Sequence, residues 1–131
     1  MISLPELNGL AASRLADAQA LYAARRFDGA VYICGYAIEI ALKARICKSL
    51  NWSSFPSTRK DFDGLQSFKT HDLEILLRFS GIEDIIRLNH LAAWSKIEQW
   101  DPEKRYEPVG QTAPGNAHDF ISATGQLLAI L

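Results

Sequence analysis

The fold this sequence predicts is an all-α domain, an antiparallel up-down bundle of four to five helices. Three observations carry that expectation. Apolar residues recur at helical spacing over long stretches, no stretch shows sustained strand-like alternation, and one joint between two long helical segments is only a few residues. A chain of 131 residues fits a single domain spanning 1–131. It can bury roughly two thirds of its unfolded surface without metal or disulfide support.

The first helix starts at Ser3-Leu4-Pro5-Glu6, a capping box in which the serine hydroxyl accepts the third amide and Glu6 reaches back. It runs to about Arg25. Leu7, Ala11, Leu15, Ala18 and Tyr22 fall in an arc of roughly 80°, a core-facing stripe. Phe27-Asp28-Gly29 then reads as a tight joint, which makes the flanking helices antiparallel neighbours and sets Arg25, Arg26 and Asp28 at one end of the bundle. The stretch Phe27 to Leu50 reads as a second helix, the central one. Ala30, Ile33, Cys34, Ala37, Ala41 and Ala44 line one side of it, where small residues admit a close partner.

From residue 51 to 69 periodicity disappears. Trp52, Phe55, Phe62, Leu65 and Phe68 stand isolated among Ser, Pro, Thr, Asp and Gly, so 51–69 reads as a long loop with aromatic anchors. Thr70 is the expected cap of a short helix, His71 to Phe79, stopped by Ser80-Gly81. A longer helix is expected from about Ile82 to Gln99, with Ile86, His90, Ala93, Ile97 and Trp100 on one face. Asp101-Pro102 ends it, and the segment to Gly110 is a surface loop carrying Arg105 and Tyr106. Thr112 is the expected cap of a last helix, where Ala117, Ile121, Thr124, Leu128 and Leu131 recur at helical spacing.

Charge and cysteine usage narrow the function classes. The formal charge is −1, and Lys and Arg occur as short pairs (Arg25-Arg26, Arg59-Lys60, Lys104-Arg105), so no basic face for duplex nucleic acid is evident. Cys34 and Cys47 are separated by about 20 Å of helical rise, too far for a mutual bridge, and read as reduced core thiols. The N-terminus lacks a signal pattern, and Ala30 to Leu42 is too short and too interrupted by Glu39 to span a bilayer. These features predict a cytoplasmic protein with no membrane partner.

The chemistry concentrates on the second helix. Tyr32, Tyr36, Glu39 and Lys43 fall within an arc of roughly 60°. Exposed, the Glu39 and Lys43 pair would contribute about 0.3 to 0.5 kcal/mol. Its segment is too apolar for a solvated face, so a half-buried pair beside Tyr36 calls for further hydrogen bonds or a ligand. His71 and Asp72 open a helix, where capping accounts for Asp72. Arg105 and Tyr106 are exposed by context, and His90 reads as a core or interface histidine. The ligand-binding candidates are therefore Tyr36, Glu39, Lys43, His71, Asp72, Arg105 and Tyr106. The three histidines (His71, His90, His118) lack ligand spacing, the eight glycines are dispersed, and both thiols sit in core surroundings. No metal, no cofactor and no catalytic residue is assigned.

Taken in order, AVYICGYAIEIALKARI at Ala30 to Ile46, THDLEILL at Thr70 to Leu77 and WDPEKRYEP at Trp100 to Pro108 resemble the HEPN domain family. The resemblance spans most of the chain. It implies a helical bundle, often a homodimer, found alone or beside a minimal nucleotidyltransferase in toxin and antitoxin pairs. Many members resemble or are ribonucleases, which carry an Arg followed, after four to six residues, by a His at a dimer cleft. Here the corresponding positions are Gln66, Leu65 and Gly64 before His71; Ile85, Asp84 and Glu83 before His90; and Ala113, Thr112 and Gln111 before His118. None is arginine, and Arg87 stands only three before His90.

The resemblance thus implies a noncatalytic binding or regulatory module for nucleotide, RNA or a partner protein. A ribonuclease recruiting Lys43, His71 and Arg105, and a purely structural dimeric protein, are the alternatives. Convergence of Glu39, Lys43, His71 and Arg105 in one concave pocket would favour a ligand site; scatter would favour an interaction module.

Overall fold

The computed structural model describes residues 1–131, and its architecture is an all-α bundle of six helices with one minimal two-strand sheet. Helix α1 (Leu4–Ala23) begins at the capping box: Ser3 Oγ accepts from the Glu6 amide, and Glu6 accepts from the Ser3 amide at 2.8 Å. Leu7, Ala11 and Ala18 are buried, with Leu15 and Tyr22 half-buried on the same stripe. The joint to α2 (Phe27–Leu50) lies earlier in the chain than the sequence suggested. Phe27 is already helical, and the reversal is made at Ala24–Arg26 with Arg25 at φ 61°.

Helix α2 is the centre of the domain. It packs along α1 and also against α3 (Leu73–Phe79) and α6 (Pro114–Leu128). Twelve of its residues are buried, including Ala30, Cys34, Ala37, Ala41 and Ala44, while Ile33 is half-buried. Both cysteines are free and buried, and burial pushes the Cys34 thiol up to about 11. At the C-terminal end Asn51 takes φ 57° as a left-handed cap.

Residues 51–69 are held rather than loose. Strand β2 (Ser54–Phe55) pairs antiparallel with β1 (Ile2–Ser3), and Gln66–Phe68 forms a 3₁₀ turn. Trp52 and Phe68 rings lie 5.1 Å apart, and Phe68 reaches Phe79 at 4.7 Å. These contacts tie the segment to α3 (Leu73–Phe79). The cap of α3 is Asp72, not Thr70: Asp72 Oδ1 accepts from the amides of Glu74 and Ile75 at 2.9 and 3.1 Å. Thr70 Oγ1 instead accepts from the Asp72 amide, and His71 precedes the helix.

The single helix expected over 82–99 is two, α4 (Glu83–Asn89) and α5 (Leu91–Ile97), broken at His90 with φ −136°. Each half answers to its own neighbour, α4 packing on α3 and α5 on α6. Ile86, Ala93, Ile97 and Trp100 are buried as expected, but His90 is half-buried, its Nδ1 3.2 Å from Gln126 Nε2. Pro102–Tyr106 is a 3₁₀ turn. The final helix α6 (Pro114–Leu128) has Ala113 at its N-cap with no side-chain cap. Thr112 does not serve there because it stands one residue before the N-cap position; its amide donates to Asp28 Oδ1 at 2.9 Å while Gly110 donates to Oδ2 at 2.7 Å. The buried face of α6 is Ala117, Phe120, Ala123, Thr124 and Leu127, so the core stripe sits partly beside the expected one, with Ile121 and Leu128 at its edge. No helix is long and apolar enough to cross a membrane.

Candidate functional site

The polar stripe of α2 meets the start of α3 at one point. Glu39 has a side chain only 5% exposed, and two groups satisfy it. Lys43 Nζ lies 3.5 Å from Oε2, one helical turn on, and His71 Nδ1 lies 2.5 Å from Oε1. With Glu39 a carboxylate, which only accepts, the His71 Nδ1 proton donates and Nε2 is left uncommitted. A lone buried carboxylate would be costly, and these two donors are what make its burial tolerable. Lys43 also lies 5.5 Å from the Phe55 ring centroid, a cation–π contact that fixes its stem against the loop.

Glu39, Lys43 and His71 share the wall of a cleft of about 550 Å³. Its apolar surface comes from Leu7 and Leu10 of α1, Ile40 of α2, and Phe55 and Phe62 of the 51–69 segment, with Lys69 at the margin. A volume within about 300–1,000 Å³, apolar walls and a few convergent polar groups are the usual features of a small-molecule site. Two of the other recesses flank Trp100 and are different in kind. One of about 370 Å³, floored by Val31, Trp100 and Phe120, is ringed by Lys96–Asp119 and Lys104–Glu107 contacts of 3.9 and 3.5 Å. The other, about 250 Å³, lies between His71, Asp72 and Trp100 on the far side of His71.

The remaining candidates lie outside the cleft. Tyr36 sits a turn before Glu39, its ring 4.9 Å from Trp100 and its hydroxyl 3.5 Å from that of Tyr32. Burial, then the Tyr32 hydroxyl and the charge of Glu39, push the Tyr36 phenol up to about 12, so it stays protonated. Asp72 is committed to capping α3. Arg105 stacks over Tyr106 at 4.7 Å and donates to the Pro102 carbonyl at 2.9 Å. Both are exposed, with Tyr106 72% exposed. The convergence is therefore partial: Glu39, Lys43 and His71 meet, and Arg105 does not line their cleft.

Sequence reasoning missed Lys69 and the cleft-lining role of Phe55 and Phe62. Their only signal was an aromatic-rich segment too long to be an idle connection. It also missed the network in which Arg87 bonds both Glu74 and Glu83, with Trp94 Nε1 donating to Glu74 at 3.2 Å. No group of three His, Cys, Asp or Glu side chains is clustered as a metal site would need. No family model, curated protein or solved structure matches the chain.

Proposed function

We propose that this chain is a noncatalytic binding or regulatory module of HEPN type whose ligand occupies the Glu39 cleft. The observation that carries the reading is the meeting of Glu39, Lys43 and His71 on one wall of a largely apolar, 550 Å³ cleft. Among nucleotide, RNA and a partner protein, a cleft of this size favours a small molecule, and its lysines favour an anionic one. The homodimer expected of the family enters as part of the proposal, with Ile85, Leu88 and Leu91 as its exposed apolar face. A place in a toxin and antitoxin or nucleotidyltransferase pair follows from the same resemblance.

Catalysis is disfavoured by what its residues are doing. Cleavage of RNA needs a proton-transfer group and a cation at the developing phosphorane charge. Arg87, the nearest arginine before His90, is held by Glu74 and Glu83. The test is a labelled-RNA assay beside calorimetric titration of AMP into wild-type protein, Lys43→Met and His71→Ala. Expected are no cleavage, saturable AMP binding, and at least tenfold weaker binding in Lys43→Met with the fold retained. RNA cleavage lost in folded His71→Ala or His90→Ala would overturn the noncatalytic reading.

A further inference from the structure

We propose that the preferred ligand of the Glu39 cleft is an organic monoanion, an apolar body carrying one carboxylate, with its head at Lys69 and its body along Leu10, Ile40 and Phe62. This inference rests on the binding-module reading and narrows it. The charges of the cleft do not balance. Glu39 is the one carboxylate in the lining, and it already has Lys43 at 3.5 Å and His71 at 2.5 Å. Lys69 has no carboxylate partner; its ammonium lies 5.9 Å from the Phe62 ring centroid, at the margin between apolar wall and water. The surplus is a single positive charge beside apolar surface.

The lining holds only two side-chain hydroxyls, Thr70 and Ser57, and each already has one partner. Thr70 Oγ1 accepts from the Asp72 amide at 3.0 Å, and Ser57 Oγ lies 3.5 Å from Asp61 Oδ2. A ligand rich in hydroxyl groups, such as a ribose, would exchange water for walls that offer it few free partners. A second negative charge would find no second free cation. An alkyl or aryl chain loses nothing there, because Leu7, Leu10, Ile40, Phe55 and Phe62 present apolar surface.

The experiment is calorimetric titration of the whole chain at pH 7 with sodium hexanoate, sodium octanoate, 1-octanol and AMP, in wild type, Lys69→Ala, Lys69→Arg and Lys69→Glu. Lys69 is exposed, so these variants keep the fold. Each methylene buried should tighten binding about fourfold, so octanoate should bind about fifteenfold tighter than hexanoate. Octanoate should exceed both octanol and AMP. Lys69→Ala should weaken octanoate by about two- to fivefold, as an exposed charge contact would; Lys69→Arg should restore it and Lys69→Glu abolish it. AMP binding tighter than octanoate would overturn this inference and leave the binding-module reading standing. Octanol equal to octanoate, or indifference to Lys69→Glu, would overturn the placement of the head. If neither octanoate nor AMP binds, both readings fall.

Discussion

Replacing Gly35 by alanine sets two effects of opposite sign against each other on one methyl group. Gly35 lies mid-way along α2, where alanine should be better than glycine by about 1 kcal/mol on helix propensity alone. The Trp100 indole, however, lies flat on this glycine, and a Cβ built there would overlap its Cδ2, Cε2 and Nε1 atoms. Trp100 is 2% exposed and meets Tyr36 edge to face at 4.9 Å, so the ring cannot yield to the new methyl without giving up its burial and that contact. Overpacking of this kind costs about 1–3 kcal/mol when neighbours shift. If the ring is expelled, the loss approaches the roughly 3–5 kcal/mol of a large aromatic truncation.

The clash wins, and Gly35→Ala should destabilise by about 2–4 kcal/mol. Urea unfolding followed by far-ultraviolet circular dichroism measures it, since the m-value should stay unchanged while the midpoint falls. The decisive control is the double-mutant cycle. In a Trp100→Ala background the obstacle is gone, so the same Gly35→Ala change should reverse sign and stabilise by up to about 1 kcal/mol. An equal loss in both backgrounds, or a Gly35→Ala protein within about 0.5 kcal/mol of wild type, would refute the packing argument.

Three further outcomes are expected. The Gly110 and Thr112 amides that donate to Asp28 hold its carboxyl below the usual range. Its folded value is thus below its unfolded one, so its stabilisation is fully present above about pH 4 and fades as pH falls further. Acid titration should show Asp28→Ala less stable than wild type at pH 7 and the two curves converging as pH falls through the lowered folded-state value of Asp28. Asp72→Ala removes the side-chain cap of α3 and should cost about 1 kcal/mol in thermal or urea unfolding, with Asp72→Asn retaining most of it. Light scattering at micromolar concentration should give a mass near twice 14.6 kDa, and Leu88→Glu, at a side chain 82% exposed, should return it to the monomer.

Local rules made the frame legible and non-local ones hid much of the site. The Ser3–Glu6 box and the Glu39–Lys43 pair are three- and four-residue relations, and both are present in the structure as the spacing implies. His71 reaches Glu39 across 32 residues, a contact no periodicity encodes. The break at His90 escaped because the apolar stripe continues straight through it from Ile86 to Ala93. What divides α4 from α5 is the different neighbour each packs on. Thr112 is a plausible cap by type, yet the helix starts at Pro114 and leaves Ala113 at the N-cap, while the Thr112 amide joins Asp28, 84 residues earlier. Lys69 was invisible for a related reason: an isolated lysine in an aperiodic segment acquires meaning only when β1 and β2 fold that segment over α2.

Every residue lining the Glu39 cleft lies between Ile2 and His71, whereas α6 begins at Pro114. Translation proceeds from the N-terminus at about 5–20 residues per second, so the cleft's walls leave the ribosome seconds before the helix that completes the bundle. During that interval the part of α2 that α6 will cover is bare apolar surface. The nascent chain thus carries its binding walls and an unfinished core together, and an occupant seated early would favour the native arrangement of the residues it touches.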